Sequence, residues 1–245
     1  MNWLKNPISS FVDGVRNTAG SIGTSIGAMT GLSYTVDLNS NYLLKMLAVC
    51  AEESYYLEEN RDNLNKYGLV LIKYQKEYAG SGNALQYGLF KIKSGDYADQ
   101  TILAFRGTDS AFGIIQDADI FFPGPKNMMR TIIKYANEVA LNNNVNWICG
   151  HSLGGLIAEA VCSHTGVGGA SFNAPGPWSS VSHNNLADGN KYNNVAFEVH
   201  LTKNDGISYS GSAGGPDSSH IGKPKWHDHG GGHSMECLRK YIETF

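Results

Sequence analysis

Positive charge is neither abundant nor concentrated: 19 Lys and Arg stand against 22 Asp and Glu, leaving a formal charge of -3 with no basic run. Such a chain carries no electrostatic footprint for nucleic acid, which argues against that class of partner. Cysteine is scarce as well. Cys50, Cys149, Cys162 and Cys237 are widely separated and form no C-x-x-C pair, which argues against both a zinc site and a disulfide scaffold. Cys149 lies in an apolar run and Cys162 late in a helical one, so both read as buried thiols. A basic segment followed by a compact apolar core is missing from the start of the chain, and with it a standard secretory signal. The sequence therefore points to an intracellular enzyme, or to one exported by a signal-independent route.

Residues 17 to 36, NTAGSIGTSIGAMTGLSYTV, carry no charge, and Gly23, Gly27 and Gly31 recur every four residues. Small residues at that spacing allow helices to approach within a membrane, but Ser, Thr and Asn interrupt the run, and it lacks the continuous apolar content of a spanning helix. Residues 1–40 are thus expected to form a glycine-rich leader, either flexible or membrane-associating. Residues 41–245 are long enough to bury one substantial core.

What is present after residue 40 is an ordered alternation. Asn41 to Leu64 reads as a helix, with Leu43, Leu44, Leu47 and Cys50 at helical spacing. GLVLIKYQKEYA and LQYGLFKIKSG read as two strands around the turn GSGN, a hairpin. QTILAFRG is a third strand; residues 126 to 142 form a helix; VNWIC is a strand and Leu153 to His164 a helix. GGASFN and VAFEVHL follow as strands, and Met235 to Thr244 closes as a helix. From residue 100 onward strands alternate with helices, which requires crossover connections. The expected fold is α/β: a mostly parallel central sheet flanked by helices, extended on one side by an antiparallel hairpin.

Two segments match G-x-S-x-G: Gly23-Thr24-Ser25-Ile26-Gly27 and Gly150-His151-Ser152-Leu153-Gly154. With 29 Gly and 22 Ser in 245 residues, independent draws give roughly 0.3 matches by chance, so the motif counts only in its structural context. A nucleophilic serine needs a sharp turn between a strand and a helix, where a Cβ at either flanking glycine would crowd the chain. Ser152 meets that condition, with VNWIC before it and LIAEAVCSH after it. Ser25 does not.

A serine hydroxyl is a weak nucleophile at neutral pH and requires an adjacent base, itself oriented by a third group. Asp205 is the candidate acid, four residues beyond the strand VAFEVHL. Asp188 and Asp217 are rivals in polar loops. His233, just before the closing helix, is the candidate base, with His220 and His229 as alternatives. The segment WHDHGGGH offers metal-ligand types, but on a glycine-rich loop at no assignable spacing, so no metal is expected. Arg106 reads as a structural ion-pair partner for a carboxylate. His151 reads as a motif residue whose side chain points away from Ser152.

GHSLGG, with TILAFRGTDS upstream and HLTKNDGIS downstream, resembles the class 3 lipase family of α/β-hydrolases over about residues 45 to 240. SFNAPG resembles the segment that follows the nucleophile in that family, and residues 1–40 have no counterpart in it. The resemblance implies an α/β-hydrolase fold and a triad of Ser152, His233 and Asp205. It also implies an oxyanion hole from the amides of Thr108 and Leu153, and no cofactor. Family members carry a lid where this chain has DSAFGIIQDADIFFPGPKNMM, within which Phe112, Ile114, Ile115, Phe121 and Phe122 supply an apolar surface. The expected activity is hydrolysis of lipid carboxylic esters, as a lipase or phospholipase A, with lipid-interface contact. The alternatives are a non-catalytic lipid-binding scaffold and a thioesterase or acyltransferase.

Overall fold

A computed structural model describes residues 41–56, 62–78, 84–108, 127–178, 186–187, 195–209 and 216–245. Residues 1–40, including Ser25, and the segment 109–126 lie outside these described residues, as does the rival acid Asp188.

Alternation along the strands builds two cores, one on each face of a single sheet. In the third strand Ile102 and Ala104 join one apolar cluster, while Leu103 and Phe105 join the other. That is the period-2 consequence of a pleated backbone. The second strand does the same: Leu85, Tyr87 and Leu89 face one way, Phe90 and Ile92 the other. A strand buried on both faces is apolar nearly throughout, as sheets covered on both sides require.

The elements run α1 (Asn41–Glu53), α2 (Asp62–Lys66), β1 (Leu69–Tyr78), β2 (Ala84–Ile92) and β3 (Thr101–Phe105). They continue with α3 (Asn127–Asn142), β4 (Trp147–His151), α4 (Leu153–Thr165), β5 (Gly168–Phe172) and β6 (Phe197–Thr202). A 3-10 turn (Pro216–Ser219), β7 (Lys225–His227) and α5 (Met235–Ile242) complete the chain. The seven strands lie side by side in sequence order. β1, β2 and β3 pair antiparallel, and β3 through β7 pair parallel. The mostly parallel sheet with a hairpin on one side is therefore present as expected.

α3 and α4 cover one face through Ile132, Ile133, Ala136, Leu156, Ile157 and Val161. α1 and α5 cover the other, with Leu43, Leu47, Met235, Leu238 and Ile242 in that cluster. α1 is buried almost all round, as a helix wedged between a sheet and a neighbour must be. Its polar end is matched rather than exposed. Glu52 ion-pairs with Arg239 of α5, which also reaches Glu243 at 2.9 Å.

Two sequence expectations need correction. The helix expected from Asn41 to Leu64 is not continuous: α1 stops at Glu53 and α2 begins at Asp62. At the break the Ser54 hydroxyl turns back to the Ala51 carbonyl at 2.8 Å, the local competition with the helical ladder that makes serine a poor interior residue. The segment WHDHGGGH, expected to be a loop, begins within a strand, β7. At three residues, directly after Pro224, it is too short to show a period. Its register, His200 opposite Lys225 and Thr202 opposite His227, places it at the sheet edge beside β6.

Candidate functional site

β4 delivers the chain into α4 through a turn that only small residues permit. A Cβ on Gly150 would lie 2.3 Å from the carbonyl of Gly154. A Cβ on Gly154 would lie 2.1 Å from the Phe105 carbonyl oxygen, so the end of β3 packs directly on the start of α4. Between them Ser152 adopts φ 60 and ψ -127, outside the regions an L-residue favours, at a cost of about 1–3 kcal/mol. Hydrogen bonds hold it there: its N–H donates to Phe172 of β5 at 2.9 Å, and its carbonyl accepts from Gly155 and Leu156. Ser152 occupies the N-cap of α4, where a serine hydroxyl ordinarily turns to the first-turn amides. Here it makes no cap bond.

The hydroxyl faces His233 instead. Ser152 Oγ lies 2.9 Å from His233 Nε2, and His233 Nδ1 lies 2.9 Å from Asp205 Oδ2. The proton positions follow by elimination. An ionised carboxylate only accepts, so Nδ1 carries the hydrogen. A neutral imidazole then has its lone pair at Nε2, so the Ser152 hydroxyl must donate to it. This is the arrangement from which a hydroxyl proton can leave toward a base as the oxygen attacks.

Asp205 is fixed from four directions. Its Oδ1 accepts from the Ile207 amide at 3.0 Å; its Oδ2 accepts from the Ser208 hydroxyl at 2.7 Å, the Ser208 amide at 3.3 Å and His233. Burial alone would raise its pKa. The hydrogen bond and charge of His233, with the Ser208 and Ile207 donors, outweigh that and hold it below the usual carboxylate value.

His233 follows the loop Gly230–Gly232 and precedes α5, whose N-cap Ser234 hydroxyl accepts from the Cys237 amide. Two side chains pin this loop. Asn173, with φ 47 just after β5, accepts from the Thr202 amide at 2.9 Å and donates to the Gly232 carbonyl at 3.3 Å. It thereby ties the acid-bearing end of β6 to the histidine loop. His151 reaches the His233 carbonyl through Nε2 at 2.9 Å. Its side chain is directed to the main chain of His233 and, through Nδ1, to the Tyr55 hydroxyl. Burial, then the neighbouring His233 charge, push the His151 pKa down to about 3, so the ring is neutral at ordinary pH. Sequence reasoning gave neither residue this task. Asn173 sits immediately after a strand end in SFNAPG, which was the available signal.

Other described histidines have other partners. His220 pairs at 2.9 Å with Glu159, both buried in the core. His229 lies 2.9 Å from the Thr202 hydroxyl and accepts from the Gly231 amide at 3.1 Å. His227 donates to His200, whose other nitrogen donates to Glu198. Burial pushes the His227 pKa down to about 4. Asp228 pairs with Lys203. The segment WHDHGGGH thus sends its side chains to separate partners, and among the described residues no cluster of His, Cys, Asp or Glu is suited to a metal ion. Asp217 lies on the 3-10 turn, its side chain outside the described set. Arg106 donates to the Gln86 amide oxygen at 2.9 Å and lies over the Tyr55 ring.

A cavity of about 470 Å³ opens beside His233, lined also by Thr108, Tyr55, Tyr56, Glu52 and Met235. The Thr108 Oγ1 is buried and has no partner among the described residues. Leu153 is the first residue of α4, where an amide has no intrahelical acceptor. The lid expected between residues 109 and 127 falls almost wholly outside the described residues.

No family model matches the chain, and no curated protein matches it. Among solved structures it is similar to a thermostable esterase from Pseudomonas putida, at 9% identity over 95% of this chain and 94% of that one, with a TM-score of 0.35. It is also similar to a mutant of the esterase rPPE complexed with (S)-Ac-CPA, at 8% identity over the same shares, with a TM-score of 0.37. None of these comparisons places the chain in the class 3 lipase family. A mixed sheet of seven strands, flanked by helices and turning from β4 into α4 through a glycine-bounded serine, is an α/β-hydrolase fold.

Proposed function

We propose that this protein is a serine hydrolase that cleaves carboxylic esters of lipids. The observation that carries the reading is the hydrogen-bonded line from Ser152 through His233 to Asp205, with its proton positions fixed by the carboxylate. Ser152 Oγ attacks the ester carbonyl carbon while its proton passes to His233 Nε2. The carbonyl π pair moves onto oxygen, where the amides of Thr108 and Leu153 receive the negative charge. Such donors are commonly worth about 3–4 kcal/mol each. The Thr108 hydroxyl, buried without a partner among the described residues and on the residue lining the same cavity as His233, is a further candidate donor. Collapse of the intermediate expels the alcohol, which takes its proton from His233. Water then attacks the acyl-enzyme by the same route and releases the acid. Throughout, Asp205 keeps the imidazole in its working tautomer and offsets the charge it acquires.

The lipid part of the reading is supported by the resemblance of GHSLGG and its flanking motifs to class 3 lipases, and by the apolar residues of segment 109–129. Lipid-interface contact belongs to the same proposal, as does a membrane-associating role for residues 1–40. The test is release of fatty acid from triacylglycerol emulsions and from phosphatidylcholine vesicles. Release by wild type and none by Ser152→Ala is the expected result. Hydrolysis of short soluble esters alone would remove the lipid assignment, and acyl transfer to an added alcohol in preference to water would make the protein a transferase.

A further inference from the structure

We infer that Tyr55 and His151 act together as positioning residues, fixing the main chain of His233 and so aiming its imidazole at Ser152. The inference rests on the hydrolase reading above and concerns how its base is held.

The geometry closes in one way only. The His233 carbonyl can only accept, so His151 Nε2, 2.9 Å away, carries the hydrogen. In a neutral ring Nδ1 is then an acceptor. The Tyr55 hydroxyl, 2.8 Å from it, must donate. The opposite tautomer would set the Nε2 lone pair against the carbonyl oxygen, two acceptors face to face. Tyr55 therefore satisfies the Nδ1 lone pair of the tautomer the carbonyl requires and holds the ring where Nε2 reaches His233.

The position of Tyr55 is itself built. It stands in the turn ending α1, its amide bonded to the Glu52 carbonyl at 3.1 Å. The Arg106 guanidinium lies 5.6 Å from its ring centroid. Its hydroxyl fits because residue 107 is glycine: a Cβ there would lie 2.2 Å from the Tyr55 oxygen, 2.6 Å from the His151 carbonyl oxygen and 3.1 Å from Ser152 Cβ. One hydroxyl thus sits where the Thr108-bearing strand end, the serine turn and the histidine loop meet.

The loop needs such a hold. His233 follows Gly230 and Gly232, both at positive φ, residues that give the backbone little stiffness of their own. Asp205 and Ser152 hold the two ring nitrogens, but neither restrains the main chain that carries the ring. The bond from His151 to the His233 carbonyl does. The two rings lie 4.7 Å apart by centroid.

Tyr55→Phe tests this while keeping the ring and the cavity shape. Two readouts are taken: the rate of fluorophosphonate labelling at saturating probe, with its half-saturating concentration, and the ¹⁵N spectrum of the His151 ring. In wild type the ring is expected as the Nε2–H tautomer. In the variant that tautomer should persist, the Nδ1 resonance should move as its hydrogen-bond donor is lost, and the saturated rate should fall on the order of tenfold, the worth of one hydrogen bond, at unchanged half-saturation. His151→Gln, which keeps a donor without needing Tyr55, should lose less than His151→Phe. An unmoved Nδ1 resonance or an unchanged saturated rate in Tyr55→Phe overturns the inference, as does a loss confined to half-saturation, which would make Tyr55 a substrate contact. A wild type that takes no label would sink the hydrolase reading and this inference with it. That outcome is distinct from a labelled wild type matched by its variant.

Discussion

Replacing Asp205 by Asn separates the two things its carboxylate does. Oδ2 accepts from His233, the Ser208 hydroxyl and the Ser208 amide, whereas Oδ1 accepts from the Ile207 amide alone. An asparagine will therefore place its oxygen at the Oδ2 position, where three donors converge, and lose only the Ile207 bond. His233 keeps its Nδ1–H and its orientation; what disappears is the charge facing the imidazolium in the transition state. Two unit charges about 4 Å apart at an effective dielectric of about 20 interact by about 4 kcal/mol. Losing that should lower kcat by about a thousandfold, since every 1.4 kcal/mol is a factor of ten. The assay is steady-state hydrolysis of a soluble chromogenic ester, with the His233 Nδ1–H resonance and the melting temperature measured alongside. A fall of less than tenfold with the resonance intact would refute the charge argument. Loss of the resonance would refute the placement of the amide.

Asn173→Ala removes a buried acceptor from the Thr202 amide and a donor to the Gly232 carbonyl. Leaving such groups unpaired should destabilise the protein by about 2–3 kcal/mol, measured as a lower urea midpoint at unchanged slope; a shift under about 0.5 kcal/mol would contradict it. Stability should decline in mild acid. His151 and His227 have folded pKa values of about 3 and about 4 against an ordinary 6.5, so the unfolded chain takes up protons that the native state refuses. Their contribution is complete above pH 6.5 and is lost as pH falls. His151 alone costs about 2 kcal/mol between pH 6.5 and about 4.5. The lowered Asp205 adds nothing in that window, because its loss begins only below its ordinary value of 3.8. Urea midpoints that stay level from pH 7 to about 4.5 would refute the assignment. Finally, Cys237 is exposed whereas Cys50, Cys149 and Cys162 are buried, and burial pushes all three buried thiols upward. One thiol should react promptly with a disulfide reagent in the native protein and the other three only on unfolding; a second prompt thiol would show that one face of the sheet opens.

Much of the fold could be read from local pattern because its parts obey local rules. The doubly apolar strand β3, the hairpin before it and the glycine-flanked Ser152 each carry a signal within a few residues. Asp205 could be placed because it closely follows a strand end, and His233 because it precedes an amphipathic helix. What was illegible depends on contacts distant in sequence. β7 exists because β6 offers it a parallel partner, not because Lys225 to His227 prefer to be extended. The end of α1 at Glu53 is set by a serine back-bond and by burial of Glu52 against Arg239, 187 residues away. The roles of Asn173 and His151 lie in bonds to Gly232 and His233, and no spacing in one sequence reveals such partners.

The central claim is that Ser152 is a nucleophile. Intact-mass analysis after treatment with a fluorophosphonate, followed by peptide mapping, tests it most directly. One adduct on Ser152 is expected, absent from Ser152→Ala, retained in Ser25→Ala and much slowed in His233→Ala. A folded wild type that stays unlabelled with and without detergent, or that carries its adduct on another residue, would contradict the claim.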